Sequence, residues 1–306
     1  MMERRTDLAL EVRESFKGDG GEIEGVSLDK ENVWLDEGHK DSIEVSTVVI
    51  MNEKGRQAMG KPVGSYITME TGDVIKMSDA QFDNVMKELG SRIESLTGNL
   101  KHKKVLVAGL GNRYITADSL GPYVVDGLDI TRHYAKEFGD SFLKKFGMGE
   151  MCAIAPGVMA QTGMESEEII SAVVGKTKPD IIIVVDALAA RSVGRVTTTI
   201  QITDTGINPG SGVGNHRIGL NEESIGTKVI GIGVPTVVEA EVIVRDRIEE
   251  FMYSCGLNDD EIYEFLEDMS KTAIRDMYVT TKNIDESVER MGELIAGSIN
   301  AITHSA

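Results

Sequence analysis

Hydrophobic residues in this chain fall into three kinds of run, and each predicts a different element. Four short, unbroken apolar stretches, "VLVAGL" (105–110), "CAIAPG" (152–157), "IIIVVDAL" (181–188) and "KVIGIGVP" (228–235), lack the alternation of a half-exposed strand. They read as strands covered on both faces. Helical stretches such as "SEEIISAVVGKT" lie between them, so the β and α order predicts a parallel sheet with helices on both sides. In "DAQFDNVMKELGSRIESLTG", Phe82, Val85, Met86, Leu89, Ile93 and Leu96 recur at helical spacing and Gly98 is a stop signal. Near the C-terminus, Val288, Met291, Ile295 and Ile299 make one apolar helix face, and Asn258 with Glu261 reads as a capping box opening another helix. Both helices are expected to pack back on the sheet.

The third kind of run alternates between apolar and polar residues. "IEVSTVVIM" and "GSYITMET" predict two strands joined through the loop "NEKGRQAMGKPV", giving an N-terminal β element. "TTTIQITDT" also alternates and predicts an antiparallel edge strand. Residues 1 to about 40 are polar, charged and glycine-rich, and read as a tail plus lead-in without regular structure of its own. The fold class is therefore α/β, a mostly parallel sheet between helix layers (phosphorylase/hydrolase-like), with an additional N-terminal β element.

Composition narrows the function classes. The chain has 306 residues, enough for one large α/β domain with additions or for two domains. A formal charge of −18 repels nucleic-acid phosphates, so no direct nucleic-acid partner is expected. The basic run "KHKK" (101–104) has no aromatic or basic continuation and reads as a solvated lead into a strand. No stretch approaches the roughly 18 unbroken apolar residues of a membrane span, and "MMERRTDLALEVRE" lacks a signal-peptide core, so a cytoplasmic protein without a membrane partner is expected. Cys152 and Cys255 form no CxxC pair, and neither a disulfide framework nor a zinc site is indicated. Cys152 reads as a small buried thiol.

Candidate chemistry centres on "VLVAGLGNRYITADSLGP" (105–122). Gly109 and Gly111 fit the start of a dinucleotide fingerprint, but Tyr114 occupies the third glycine position, and no P-loop lysine follows. In open α/β sheets, functional groups gather beyond the carboxyl ends of the strands. Asp118 follows the first apolar run and Asp186 ends the third, so both acids are expected at one edge of the sheet. Each could merely cap a following helix. An acid directly after five β-branched residues is nonetheless costly to bury unless it is paired or used. Two such acids facing one cleft favour use over a purely structural role. No cofactor or metal is expected. His216, in a glycine-rich loop that could approach the same edge, reads as a loop residue, and "NPGSGVGN" (208–215) reads equally as an anion nest or as a mobile flap; with Gly109 and Gly111 it supports an alternative, a nucleotide- or anion-binding protein.

The stretches "RTDLALE", "GLGN", "TADSLGP", "DALAARS", "GVGN", "GIGVPTVVEA" and "MYVTTKNID", in this order from about residue 4 to residue 285, resemble the germination protease family of spore-forming bacteria. The resemblance implies an atypical aspartic endopeptidase, similar in fold to hydrogenase-maturation proteases, that initiates degradation of small acid-soluble spore proteins in the forespore and spore core. It implies Asp118 and Asp186 as the catalytic pair and a homotetramer. The pepsin-type D-[ST]-G signature is absent, with "DSL" and "DAL" in its place. The family's targets follow a Thr, acid, apolar, Ala, any residue, Glu pattern. A basic partner for the acidic residue is sought in Arg113, Arg191, Arg195 and Arg217, with Asn112 as a further substrate contact. Thr6–Glu11 match the same pattern, so a zymogen is expected that cuts itself between Asp7 and Leu8. Residues 1–7 are then a propeptide on a loosely docked tail, and 8–306 a single α/β peptidase domain, with 8–98 its N-terminal β-rich and helical part and 99–306 the catalytic core and C-terminal helices.

Overall fold

The computed structural model describes residues 6–16, 23–36, 38, 41–208, 219–258, 261–262, 265 and 277–304. Nine strands of these residues form one mixed sheet: β1 (Val26–Trp34), β2 (Ser42–Ile50), β3 (Gly64–Glu70), β4 (Lys104–Gly109), β5 (Glu150–Ile154), β6 (Ile181–Ala190), β7 (Thr199–Thr203), β8 (Val229–Glu239) and β9 (Tyr278–Val279). The order is β1-β2-β3-β7-β8-β6-β4-β5, with β9 beside β8. β8, β6, β4 and β5 are mutually parallel, and these are the four unbroken apolar runs. The remaining pairings, through β7, β3, β2 and β1, are antiparallel. The N-terminal β element thus extends the same sheet.

Helices cover both faces. On one face, α3 (Asp79–Thr97), α4 (Leu120–Asp126) and α11 (Ile284–Thr303) bury Phe82, Leu89, Val124, Met291 and Ile295 against Val105, Ile183, Ile232 and Ile202. α3 starts at a capping box between Ser78 and Gln81 and stops at Gly98, whose φ of 68° suits a residue without Cβ. On the other face, α8 (Ser166–Thr177) lays Ile170 and Val174 on Leu106, Ile182 and Val184. The capping box at Asn258 is present: its side chain accepts from the Glu261 N–H at 3.1 Å while Glu261 accepts from the Asn258 N–H at 2.9 Å.

Four expectations are corrected. The stretch 26–34, taken as part of an irregular lead-in, is the nine-residue β1, paired along its whole length with β2. The "NEKGRQAMGKPV" loop contains α2 (Glu53–Met59), whose Asn52 cap accepts from the Gly55 N–H at 3.0 Å. β7 is antiparallel as expected but lies inside the sheet between β3 and β8, which is why all five of its residues are buried. The N-terminal segment is not loose: α1 (Ala9–Glu14) docks on the sheet, and Leu8, Ala9 and Leu10 are fully buried.

Candidate active site

The two glycines of "GLGN" shape the loop after β4 by steric necessity. A Cβ on Gly109 would lie 2.1 Å from the Gly121 carbonyl oxygen, and one on Gly111 would lie 2.0 Å from the Asp118 carbonyl oxygen. Gly111 also has φ +109°, a conformation that L side chains rarely adopt. The glycines let the loop fold back over the strand tip, which accounts for them without a phosphate. Within the loop, a 3-10 turn (Thr116–Asp118) presents Asp118, whose Oδ2 accepts from the Asn112 N–H at 2.9 Å. Thr236, near the end of β8, donates to the Ala117 carbonyl at 2.6 Å and anchors the turn.

That turn packs against β6 and β8. β6 carries Asp186, only 6% exposed, whose Oδ1 accepts from the Ala187 N–H at 3.0 Å. Leu110, the first residue after β4, donates its N–H to the Val185 carbonyl at 2.8 Å, so the Asp118 loop departs at the level where Asp186 stands. Across the sheet Asp186 pairs with Gly233 of β8, and Gly233 with Gln201 of β7. Residues paired in this way share a face, so Asp186 and Gln201 project to the same side, with the Leu188 side chain lying over Gly233 between them.

The N-terminal segment lies on the same strands. Asp7 exchanges two hydrogen bonds with Ala189 of β6: its N–H donates to the Ala189 carbonyl at 3.0 Å, and its Oδ2 accepts from the Ala189 N–H at 2.9 Å. The Asp7 carbonyl accepts from Lys61 Nζ at 2.9 Å and Gln201 Nε2 at 3.2 Å. Leu8 enters an apolar pocket of Leu188, Ala190, Val196 and Val238. Ala9 donates its N–H to Gln201 Oε1 at 2.7 Å, and with Leu10 it packs on Val48, Ile50, Met59 and Tyr66. Glu11 is 3% exposed, and its carboxylate accepts from the N–H groups of Arg191 (2.8 Å) and Ser192 (2.9 Å) and from the Thr6 hydroxyl. Arg195 stands 3.6 Å from it.

The candidate arginines are placed as follows. Arg113 forms a half-exposed ion pair with Asp126, whose carboxyl its guanidinium holds below the usual range. Arg191 approaches Asp246 at 3.7 Å. Arg195 bridges Glu14 at 2.7 Å and Glu70 at 2.9 Å; burial opposes its charge, but these bonds prevail and raise its pKa. Asn112 uses its Oδ1 to accept from the Tyr114 N–H at 3.1 Å and Gln161 Nε2 at 2.8 Å. Arg217, His216 and nearly all of the "NPGSGVGN" loop lie outside the described residues. Cys152 is half-buried on β5, and burial pushes its thiol pKa up. Among the described residues, no cluster of three or more His, Cys, Asp or Glu has the arrangement of a metal site, and no helix is long and apolar enough to cross a membrane.

The sequence profile of the germination protease family matches residues 9–261. The chain belongs to the germination protease family. It is 39% identical to the germination protease of Clostridium perfringens (strain SM101 / Type A) over 312 residues, covering 97% of this chain and 94% of that one. Identity is 40% with the germination protease of Caldanaerobacter subterraneus subsp. tengcongensis (97% and 93% covered) and 34% with that of Bacillus cytotoxicus (98% and 93%). Among solved structures, a NiFe hydrogenase maturation protease from Thermococcus kodakarensis aligns with a TM-score of 0.36 and 18% identity, over 68% of this chain and 98% of that one.

Membership makes the protein a spore-germination endopeptidase, a hydrolase of peptide bonds, and does not favour the nucleotide-binding alternative. Sequence reading missed three parts of the docking site for the N-terminal segment of this germination protease: Lys61, Gln201 and the paired N–H groups of Arg191 and Ser192. Gln201 left one trace, a long polar side chain in the middle of an alternating strand. Lys61 left none, because it lies within a stretch that reads as a loop.

Proposed function

We propose that this germination-protease family member initiates the degradation of small acid-soluble spore proteins in the forespore and spore core, and that it is made as a zymogen that cuts itself between Asp7 and Leu8. Residues 1–7 are then the propeptide and 8–306 a single peptidase domain, assembled as a homotetramer. The observation that carries this reading is the seating of Thr6–Glu11. A segment with the family's target pattern runs along the strand of Asp186, with both of its acidic side chains and its apolar residues held.

In this reading Asp118 and Asp186 act together. The ionised carboxylate takes a proton from water as the water oxygen bonds to the Asp7 carbonyl carbon. The protonated partner gives its proton to the Leu8 nitrogen as the C–N bond breaks. Their titrations belong to the pair, and a modest fall in pH, by redistributing their proton, is the proposed trigger of activation. For spore-protein substrates, Asn112, Arg113, Arg191 and Arg217 are the proposed contacts, the arginines with the acidic residue before the cut bond. A Glu there reaches one methylene further than Asp7. The acidic surface suits DNA-binding substrate proteins better than it suits DNA.

N-terminal mass analysis tests the reading. Wild-type protein held at mildly acid pH acquires Leu8 as its first residue, whereas the Asp118→Asn and Asp186→Asn proteins keep theirs and lose peptidase activity while remaining folded. Normal processing by either variant would remove that residue from the mechanism.

A further inference from the structure

Two side chains from outside the N-terminal segment converge on one backbone oxygen, the carbonyl of Asp7. Lys61 donates to it at 2.9 Å and Gln201 at 3.2 Å, and the other end of the Gln201 amide accepts from the Ala9 N–H at 2.7 Å. Gln201 therefore straddles the Asp7–Leu8 peptide bond, gripping a residue on each side of it. Through the register Asp186–Gly233–Gln201, its side chain shares a face with Asp186 two strands away, roughly 10 Å between Cα atoms at the usual strand spacing. The Leu188 side chain covers Gly233 between the two, where a Cβ would lie 2.4 Å from it, so a peptide gripped by Gln201 lies above Leu188.

The charge of Lys61 is pulled in two directions while the segment is docked. Burial draws its ammonium below the ordinary lysine range, against the pull of the Asp7 and Glu11 carboxylates. Its hydrogen-bond partner is a neutral carbonyl, which offers only a partial charge. When water adds to the Asp7 carbonyl carbon, the π electron pair moves to the oxygen, and the ammonium gains a full negative charge at hydrogen-bond distance. An interaction that is weak before the reaction and strong at the transition state lowers the barrier.

We propose that Lys61 and Gln201 form the oxyanion pocket for the bond between Asp7 and Leu8, holding the negative oxygen while the acidic pair moves the protons. This rests on the reading that Asp7–Leu8 is the bond cut. The pocket adds no proton to the balance: water's proton goes to the ionised carboxylate, and collapse of the oxyanion expels the Leu8 nitrogen with the partner carboxyl's proton. A chain cut at this bond would leave both donors facing the place where the next substrate's carbonyl must lie.

The test compares full-length wild type, Lys61→Met, Lys61→Arg and Gln201→Glu. It follows the first-order appearance of the Leu8 terminus by mass and, separately, amide exchange at Ala9 and Arg191, whose N–H groups bond Gln201 and Glu11 across the contact only while the segment is docked. Lys61→Met should slow processing by about 10²–10³-fold with exchange unchanged, and Lys61→Arg should recover part of the loss. Gln201→Glu keeps an acceptor for the Ala9 N–H but puts a carboxylate at the oxyanion, and should also be slow. Processing of Lys61→Met within about threefold of wild type would overturn the pocket, as would slowing that merely tracks faster exchange, since that is a docking effect. A wild-type chain that never acquires Leu8 would remove the cleavage reading and the pocket with it. Wild-type processing matched by Lys61→Met would remove the pocket alone.

Discussion

Replacing Glu11 by Gln asks how much of the docking of the N-terminal segment one buried carboxylate supplies. Its Oε2 accepts from the Arg191 N–H and the Thr6 hydroxyl, and its Oε1 from the Ser192 N–H. Gln has nearly the same shape but one acceptor oxygen, so one backbone N–H is left facing an NH2 group. Losing a charged hydrogen bond and leaving a buried donor unsatisfied costs about 3 kcal/mol together. Arg195 keeps Glu14 and Glu70, so its charge is not orphaned and adds little to the cost. Carried by the segment alone, about 3 kcal/mol corresponds to a docking equilibrium weakened roughly a hundredfold. Amide exchange reads this directly. Protection of Ala9, whose N–H bonds Gln201 across the contact, should fall by about that factor, while amides in the middle of α11 exchange as in wild type. Unchanged protection at Ala9 would refute the claim that this carboxylate holds the segment, and an equal loss in α11 would show that the cost falls on the whole fold.

Gly111→Ala should abolish most peptidase activity while leaving the far-ultraviolet spectrum unchanged, because the new Cβ, at φ +109° and 2.0 Å from the Asp118 carbonyl, forces the Asp118 loop off the strand tip; full activity would refute that account of the glycine. Tyr66, which packs on Ala9 and Leu10, has its phenol pushed up to about 12, chiefly by burial, with a smaller opposing contribution from the Thr205 hydrogen bond. The unfolded chain ionises first, near the ordinary tyrosine value, so stability should fall as pH rises from about 10 to about 12. Tyr66→Phe should flatten that part of the profile in denaturant titrations, and an unchanged slope would refute the assignment.

Much of the sheet was legible because burial on both faces leaves a plain mark. A strand covered above and below can carry few polar groups, so "VLVAGL", "IIIVVDAL" and "KVIGIGVP" announced the parallel half, and a single acid at the end of five β-branched residues stood out as Asp186. The faces of α3 and α11 were legible for the same reason at helical spacing. β1 was not: it lies at the sheet's edge with most of its residues exposed, and its strand state depends on pairing with β2 rather than on any pattern of its own. The short α2 was hidden because a helix of two turns is held by its Asn52 cap and by the packing of Met59, not by propensity.

Periodicity and residue chemistry alone therefore determined the α/β class, the inner strands, the long helices and two acids as candidates. Strand order was decided by the tertiary structure, which slots β7 between β3 and β8, and so was the convergence on the N-terminal segment. Glu11 meets N–H groups 180 and 181 residues away, and the Asp7 carbonyl meets donors 54 and 194 residues away. Local sequence cannot encode such meetings. A charged N-terminus reads as solvated until folding brings distant donors to it, and only their geometry makes burial of its carboxylate favourable.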